Sequence, residues 1–214
     1  MEEKPIPDNI EEKPIPDIIV GRLPLYLRAL QRMHEEGRRV TSSQELGERL
    51  GISAAQIRKD LSQFGEFGKQ GTGYGIEYLS NQLREILKVD RVWDIAVIGA
   101  GDIGSAIVRY QGFTNRGFRV AMVFDADPQK VGTQVGNFIV QDNKTLVDAI
   151  RAANIKLAMI AVPGSNAQEV AEQLVEAGIK AILNYAPISL TVPPEVRVQY
   201  IDPSVHLQRM TYYL

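Results

Sequence analysis

One hexapeptide in the middle of the chain combines three glycines at a fixed spacing. Residues 99–104 read Gly-Ala-Gly-Asp-Ile-Gly, which matches the pattern G-x-G-x-x-G. In such loops the first glycine (Gly99) permits a tight turn, and the second (Gly101) lets the backbone approach a pyrophosphate. The third (Gly104) lets the following helix pack closely on the strand, and the helix N-terminus attracts the phosphates. We therefore predict that a dinucleotide binds at Gly99, Ala100, Gly101, Asp102, Ile103 and Gly104.

The residues on either side of this loop favour the same chemistry. An apolar run over 92–98 precedes the loop, and a second apolar run ends in an aspartate, Asp125, about 20 residues after the loop. A carboxylate at this position accepts hydrogen bonds from ribose hydroxyls and repels a 2′-phosphate, which favours NAD(H) over NADP(H). Asp127 is an alternative for the same role. The competing interpretation is a structural glycine turn in a domain that binds no ligand.

Residues suited to catalysis are few. The chain has two histidines, His34 and His206, and each falls in a predicted helix away from the glycine loop. No tyrosine is followed four residues later by a lysine, and no cluster of metal ligands occurs in the sequence. With no cysteine, redox sensing requires a bound cofactor rather than thiol chemistry. We predict a regulator that is not an enzyme, with a small NAD-dependent oxidoreductase as the alternative.

A second group of polar residues lies in the N-terminal third of the chain. The segments 42–45 and 53–56 each fit a helix capping box, and Gly51 lies between the two short helices that they begin. Two short helices joined by a glycine turn are typical of a helix-turn-helix. Residues 20–88 contain 11 Lys and Arg against eight Asp and Glu, which permits binding to a polyanion. A small helical interaction domain with a charged face is the alternative.

The second of these helices, predicted over 53–64, has the side chains that read base edges. Gln56, Lys59 and Gln63 share roughly one face, with Arg58 beside them. Arg and Lys pair with guanine, Gln pairs with adenine, and either cation can hold a phosphate. The glycine-rich segment 65–75 predicts a β-hairpin, which would be the wing of a winged helix. The predicted DNA-binding residues are Ser42, Ser43, Gln56, Arg58, Lys59, Gln63, Lys69 and Gln70.

The elements that position these residues form two predicted domains. Helices over about 22–37, 42–51, 53–64 and 80–88 give a winged helix-turn-helix domain over residues 20–88. Strands and helices alternate over 89–202, which predicts an α/β Rossmann domain with a doubly wound parallel sheet. Its predicted strands are 92–98, 119–124, 138–140, 157–162, 181–183 and 196–201, and its predicted helices are 103–110, 144–153 and 167–177. A last helix, over about 205–213, belongs to a C-terminal segment, 203–214.

The ends of the chain and its apolar content complete the sequence-based picture. Residues 1–19 contain a direct repeat of EEKPIPD and are acidic, so we predict a disordered arm. The longest apolar run, 95–100, is too short for a membrane span, and the N-terminus does not resemble a secretory signal. We therefore expect a cytoplasmic protein. A CoA- or nucleotide-binding module is a further alternative, although Asp125 would face the 3′-phosphate of CoA unfavourably.

Residues 53–65, SAAQIRKDLSQFG, resemble the recognition helix of Rex, a family of bacterial redox-sensing transcriptional repressors. The resemblance continues through the glycine-rich segment, residues 99–104, FDADP at 124–128, AVP at 161–163 and NYAP at 184–187. It covers residues 20–214 in order.

This resemblance implies a homodimer that binds palindromic operator DNA and is released by NADH. NAD+ competes with NADH, so the repressor would follow the NADH/NAD+ ratio and control respiratory and fermentative genes. The C-terminal helix would be swapped onto the Rossmann domain of the partner. The resemblance adds four residues to the predicted cofactor site, which are Val162, Pro163, Asn184 and Tyr185.

The resemblance also implies a switch of three residues. Tyr110 matches a tyrosine near the nicotinamide, Asp202 matches an aspartate before the swapped helix, and Arg28 matches an arginine that pairs with that aspartate in one state. An exchange among them would let the redox state bias the docking of the winged helices.

Two positions depart from the family pattern. Pro203 stands where one relative has an aromatic residue, which leaves stacking on the partner's nicotinamide open. Lys69 and Gln70 stand where a basic residue can lie one place later, which leaves the contact of the wing open.

Overall fold

The computed structural model describes residues 15–68 and 72–214, which form two compact units that divide between Asp90 and Arg91. Predictions for Lys69, Gln70 and residues 1–14 lie outside the described residues. The N-terminal unit contains α1 (Asp17–Val20), α2 (Leu23–Glu35), β1 (Val40–Thr41), α3 (Ser43–Leu50), α4 (Ala54–Leu61), β2 (Tyr74–Gly75) and α5 (Ile76–Ile86).

Serine caps begin both helices of the predicted helix-turn-helix. Ser42 Oγ accepts a hydrogen bond from the backbone amide of Glu45, and Ser53 Oγ accepts one from that of Gln56. The side chain of Glu45 accepts hydrogen bonds from Arg38 and Thr41, so it does not complete a reciprocal capping box. Between the helices, α3 ends at a left-handed residue, Gly51.

One apolar core holds the N-terminal unit together. The buried face of α2 packs against side chains of α3, α4 and α5, because its apolar residues recur at helical spacing. The fully buried members of this core include Leu23, Tyr26, Leu30, Met33, Leu46, Ile57, Ile76, Leu79 and Leu83.

Four sequence-based predictions for this unit need correction. Helix α4 ends at Leu61, before the predicted end near residue 64, and α5 begins at Ile76 rather than at Ser80. Packing of the side chains of α5 overrides the serine as a helix start. In the described part of 65–75, the strand β2 pairs with β1 rather than within a local hairpin. The predicted disordered arm, 1–19, overlaps α1, where Ile19 is buried.

The C-terminal unit alternates strands and helices. Its elements are β3 (Trp93–Ile98), α6 (Asp102–Arg109), β4 (Phe118–Asp125), β5 (Gln134–Val135), β6 (Phe138–Ile139), β7 (Gln141–Asp142), α7 (Leu146–Ala152), β8 (Leu157–Ile160), α8 (Gly164–Glu176), β9 (Ala181–Asn184), β10 (Arg197–Tyr200) and α9 (Pro203–Thr211). Two 3₁₀ helices, Gln111–Arg116 and Asn143–Thr145, lie between these elements.

Six strands form a parallel sheet in the order β10-β9-β8-β3-β4-β7. Numbered along the chain, the six strands lie in the order 6-5-4-1-2-3, which is the Rossmann arrangement. The strand order reverses between β3 and β8, although all six strands point the same way. Successive residues of β3 belong to different cores: Ala96 and Ile98 to one, Ile95 and Val97 to the other. The sheet is therefore buried on both faces, as the apolar run predicts.

The third strand of this sheet differs from its prediction. The predicted strand 138–140 supplies β6, which pairs antiparallel with β5 in a separate hairpin. The sheet instead continues with β7, where Gln141 and Asp142 pair with Phe124 and Asp125. A two-residue polar strand has no apolar periodicity, so sequence patterns miss it. Within the described ranges, no helix combines the length and apolar character needed to cross a membrane.

Candidate functional site

The glycine loop joins the end of β3 to the start of α6. Gly99 has a φ of 102°, and a side chain there would lie 2.5 Å from the carbonyl oxygen of Ala161. A side chain at Gly104 would overlap the carbonyl oxygen of Gly99. The protein itself therefore requires glycine at both positions, for the turn and for the close packing of α6.

Gly101 is different, because the protein does not require glycine there. Its φ of −75° is open to any residue, and an added Cβ would meet no described atom within 4 Å. Gly101 is also the N-cap of α6, so its backbone lies at the positive end of the helix. The free space over it leaves room for an anionic group to approach the first amides of the helix.

A cavity of about 430 Å³ opens at this loop. It lies at the carboxyl ends of β3, β4, β8 and β9, where the strand order reverses and ligands bind in doubly wound sheets. The predicted residues that line it are Gly99, Gly101, Asp102, Ile103, Asp125, Val162, Pro163 and Tyr185. Sequence reasoning missed Ala126, Lys130, Asn143, Ala161, Asn166, Val170 and Pro187.

Asp125 at the end of β4 ties the loop to the sheet. Its Oδ2 accepts a hydrogen bond of 2.7 Å from the amide of Ala100, and its Oδ1 accepts one of 2.9 Å from the amide of Asp127. Burial favours the neutral carboxyl, but the hydrogen bonds from Asp127, Ala100 and Lys130 outweigh it and lower the pKa of Asp125. The side chain therefore stays ionised at neutral pH and holds Ala100, whose predicted role in binding becomes positional.

Lys130 places a positive charge beside this carboxylate. Its Nζ lies 3.3 Å from Asp125 Oδ2 and 4.0 Å from Asp127 Oδ2. A turn capped by Asp127, whose Oδ1 accepts from the amide of Gln129, brings Lys130 back to the cavity. The motif Asp-x-Asp-Pro in this segment was the sequence signal for such a turn.

Asn143 supplies an unused acceptor in the cavity wall. Its Oδ1 is buried, and no described residue donates a hydrogen bond to it. An unsatisfied buried acceptor is costly, and a rotation of this side chain towards the cavity would let the oxygen accept a hydrogen bond from a ligand amino group. Asn143 follows β7, the strand whose position the sequence pattern did not predict.

Asn184 shapes the cavity from behind. Its side chain is fully buried, donates to the carbonyl oxygens of Ala186 and Ile188, and accepts from the amide of Ala186. These bonds hold the loop that carries Tyr185, where burial raises the pKa of the phenol. The prediction that Asn184 contacts the cofactor is replaced by a supporting role.

Two predicted switch residues of this unit lie at different places. Tyr110 follows α6 and lines a second cavity, of about 210 Å³. Its hydroxyl accepts a hydrogen bond from Arg116, and its ring meets Phe113 edge to face. Asp202 is the N-cap of α9, where hydrogen bonds from the hydroxyl and the amide of Ser204 lower its pKa. Tyr110 lines this second cavity and not the one at the glycine loop, and its place near the nicotinamide stays a prediction.

The predicted DNA-reading residues of the N-terminal unit differ in exposure, and Gln56 is half-buried. Arg58, Lys59 and Gln63 are exposed, and Ser42 is exposed at the start of α3. Ser43 is buried, and its Oγ accepts a hydrogen bond of 2.8 Å from Arg58. Its predicted phosphate contact is therefore replaced by a role in orienting Arg58. The third switch residue, Arg28, is exposed on α2.

A buried carboxylate anchors α4 from the inside. Asp60 is fully buried and accepts hydrogen bonds of 2.5 and 2.7 Å from Arg22 and 2.6 Å from Tyr26. Gln56 donates a further bond of 2.7 Å. Burial opposes ionisation of Asp60, but these bonds outweigh it and lower its pKa. The sequence pattern gave no sign of this network, because Arg22 lies 38 residues away in the chain.

Comparison with known proteins covers both units. A family model described as "CoA binding domain" matches residues 90–188, and one described as "Putative DNA-binding protein N-terminus" matches residues 14–62. The redox-sensing transcriptional repressor Rex of Chloroflexus aggregans is 51% identical over 197 residues, which cover 92% of this chain and 93% of that protein. Rex of Brevibacillus brevis is 43% identical and covers 92% of this chain and 95% of its own length.

Solved structures agree with the sequence relatives. RSP, a Rex-family repressor, was solved in complex with β-NAD+ and operator DNA. It matches with a TM-score of 0.89 and 38% identity over 94% of this chain and 93% of that chain. RSP in complex with β-NADH matches with a TM-score of 0.86 and 36% identity over 94% of both chains.

These matches confirm the predicted α/β fold and the resemblance described above. The curated relatives are named as repressors, in agreement with the prediction of a regulator rather than an enzyme. The chain therefore belongs to the Rex family of redox-sensing transcriptional repressors.

Proposed function

We propose that this chain is a transcriptional repressor that binds operator DNA through its N-terminal unit and is released when NADH binds its C-terminal unit. The observation that carries the proposal is the open space over Gly101, at the start of α6. The packing of the protein itself requires glycine at Gly99 and Gly104. At Gly101 the reason for glycine is a ligand that approaches the backbone.

The cavity suits an adenine dinucleotide. The pyrophosphate binds over Gly101 and the first amides of α6, and the adenosine ribose binds at Asp125. Asn143 is available to the adenine amino group at the same end of the cavity. RSP binds both NADH and NAD+, which supports the same pair of cofactors here.

Operator DNA binds at the outer face of α4, at Gln63 in the turn that follows it, and at the start of α3. Arg58 and Lys59 supply charge for phosphates or guanine, while Gln56 and Gln63 supply amides for base edges. RSP was solved in complex with operator DNA, which supports DNA binding by this chain. We also propose that it acts in the cytoplasm, where the DNA of a bacterium lies.

The repressor functions as a homodimer in which α9 packs on the partner. None of the residues described in α9 is buried, and Val205, Leu207 and Met210 are 57–63% exposed. The tail beyond it ends in Tyr212, Tyr213 and Leu214, which are still more exposed. In a swapped arrangement, a second copy of the chain buries these exposed apolar side chains. The two-fold symmetry of such a dimer matches that of a palindromic operator.

Arg28, Tyr110 and Asp202 form the switch in this proposal. Each is polar, and Arg28 and Tyr110 are exposed, so each is available for an exchange of partners when the redox state of the nicotinamide changes. Asp202 stays ionised at neutral pH because its pKa is lowered by Ser204, and it can therefore pair with an arginine.

Fluorescence anisotropy tests the proposal. An operator selected by the wild-type chain from random duplexes is titrated with protein at fixed salt, with NADH, NAD+ or CoA added. NADH should weaken DNA binding, NAD+ should oppose this effect, and CoA should have none. Unchanged DNA affinity in NADH would refute the sensor, and release by CoA would move the cofactor assignment to the ligand named by the family model.

A further inference from the structure

The anchor beneath α4 also controls a side chain on its surface. Gln56 and Asp60 lie one turn apart on α4, and Gln56 Nε2 is 2.7 Å from Asp60 Oδ1. Asp60 is fully buried, whereas Gln56 is only half-buried, so its amide reaches from the carboxylate towards the surface.

The chemistry of Asp60 fixes which end of the amide faces it. Arg22 and Tyr26 both donate to Asp60, so the carboxylate is ionised and has acceptor atoms alone. The atom of Gln56 that faces it must therefore be the amide nitrogen, because the amide oxygen would be repelled. This holds for any assignment of the two ends of the amide.

When the amide nitrogen of Gln56 faces Asp60, one donor and one acceptor of the amide remain available to a base. One of its two N–H groups is used by Asp60, and the other N–H and the carbonyl oxygen remain. Adenine presents an acceptor, N7, and a donor, the N6 amino group, in the major groove. Guanine presents two acceptors, N7 and O6, and O6 would face the carbonyl oxygen of the amide.

We propose that Asp60 is a positioning residue that makes Gln56 select adenine over guanine at one base pair of each operator half-site. This inference rests on the proposed function, since it requires α4 to lie in the major groove. Asp60 does not touch DNA. It acts by preventing the reversed orientation of the Gln56 amide. In that orientation the amide would bind guanine at least as well as adenine.

The neighbours of Asp60 provide a matched control. Tyr26 also donates to Asp60, but through a bond that leaves the contact with Gln56 in place. Tyr26→Phe therefore disturbs the same buried cluster without freeing the amide. Asp60→Asn keeps the shape of the side chain but adds a donor, so that either end of the Gln56 amide can pair with it.

The experiment compares base preference rather than affinity alone. Wild type, Asp60→Asn, Gln56→Ala, the double variant and Tyr26→Phe each select sites from random duplexes, and anisotropy then measures the loss on replacing each A·T pair by G·C. Wild type should lose about tenfold to a hundredfold at one position of each half-site. Asp60→Asn and Gln56→Ala should each reduce this loss of affinity to a few-fold, and the double variant should reduce it no further. Tyr26→Phe should show the same loss of affinity as the wild type.

Three results would overturn the inference. Asp60→Asn could weaken binding to all sequences equally and retain the preference, which would make Asp60 purely structural. Tyr26→Phe could lose the preference as Asp60→Asn does, which would assign the effect to general loosening of α4. A wild-type chain that selects sites without any such adenine would show that Gln56 does not read a base. If the wild type selects no sequence at all, the proposed function fails with it.

A measurement on the wild-type chain covers the case in which Asp60→Asn does not fold. NMR of the side-chain amides compares Gln56 with the exposed Gln63 in the turn that follows α4. Gln56 should show one slowly exchanging amide hydrogen and restricted motion on the picosecond to nanosecond scale. Equal mobility of the two side chains would refute the fixed amide orientation.

Discussion

Gly101→Ala separates a glycine needed by the fold from a glycine needed by the ligand. An alanine Cβ at this position meets no described atom within 4 Å, and the φ of −75° suits alanine. Alanine is a poorer N-cap than glycine by up to about 1 kcal/mol, while its smaller unfolded-state entropy returns about 0.4–1 kcal/mol. The two effects nearly cancel, so the melting temperature should change by no more than a few degrees.

The same methyl group occupies the space through which a pyrophosphate approaches the helix. Each charge-assisted hydrogen bond from a backbone amide to the phosphates contributes about 1.5–3 kcal/mol, and two such bonds would be lost or lengthened. A loss of about 3 kcal/mol or more corresponds to at least about a hundredfold weaker NADH binding. Without bound NADH the variant should remain on its operator at NADH concentrations that release the wild type.

Calorimetric titration with NADH measures the affinity, and thermal unfolding measures the stability of the same sample. Gly104→Ala is the matched control, because its side chain would overlap the carbonyl oxygen of Gly99. That variant should be destabilised by about 1–3 kcal/mol or more through overpacking. If Gly101→Ala binds NADH as tightly as the wild type, the phosphate does not lie over Gly101. If it unfolds like Gly104→Ala, the space over Gly101 is needed by the protein and the reasoning is wrong.

Three further predictions address the charges and the exposed helix. Lys130→Met removes the cation beside Asp125 and Asp127 and leaves two carboxylates uncompensated. This change should weaken NADPH binding about tenfold more than NADH binding, measured as Kd values by fluorescence titration. An unchanged ratio of the two Kd values would place the 2′-hydroxyl elsewhere. The lowered pKa of Asp60 contributes stability that is present above the ordinary pKa of 3.8 and is lost as the pH falls through the lower pKa of the folded protein. The free energy of unfolding of the wild type, measured with denaturant, should therefore fall below about pH 4. The free energy of unfolding of Asp60→Asn should fall less over the same range. Leu207→Glu and Met210→Glu change exposed positions of α9, so they should convert the proposed dimer to monomers in sedimentation experiments without lowering the melting temperature of the monomer. Dimers that persist in these variants would exclude α9 as the dimer contact.

The sequence predicted the elements whose causes are local. The serine caps at Ser42 and Ser53 and the glycine at Gly51 act within one helical turn, so their residue types suffice to locate the helix ends. The glycine loop is predictable for the same reason, since the turn, the strand and the helix that it joins are contiguous in the chain. The roles of Gly99 and Gly104 follow from that spacing.

Elements and contacts with distant causes were not predictable. The strand β7 has two polar residues, and its pairing with Phe124 and Asp125 depends on the whole sheet. The partnership of Arg22 with Asp60 spans 38 residues, and each is an ordinary charged residue in its own helix. The buried acceptor of Asn143 is visible only when the cavity wall is complete. Side chains that meet across a fold have no spacing by which a sequence pattern can identify them.

The anchor at Asp60 also constrains how a signal reaches the DNA-reading helix. Arg22 is the N-cap of α2 and Tyr26 lies in its first turn, and both bind Asp60 near the C-terminal end of α4 through short bonds to a fully buried carboxylate. Breaking such a pair by removing one partner costs about 3–5 kcal/mol, which is more than the coupling energy of about 1–3 kcal/mol of a typical allosteric switch. Helix α2 also carries Arg28, the proposed switch residue. If Arg28 changes partner as proposed, we expect α2 and α4 to move as one body, which would reposition Gln56 while its bond to Asp60 stays in place.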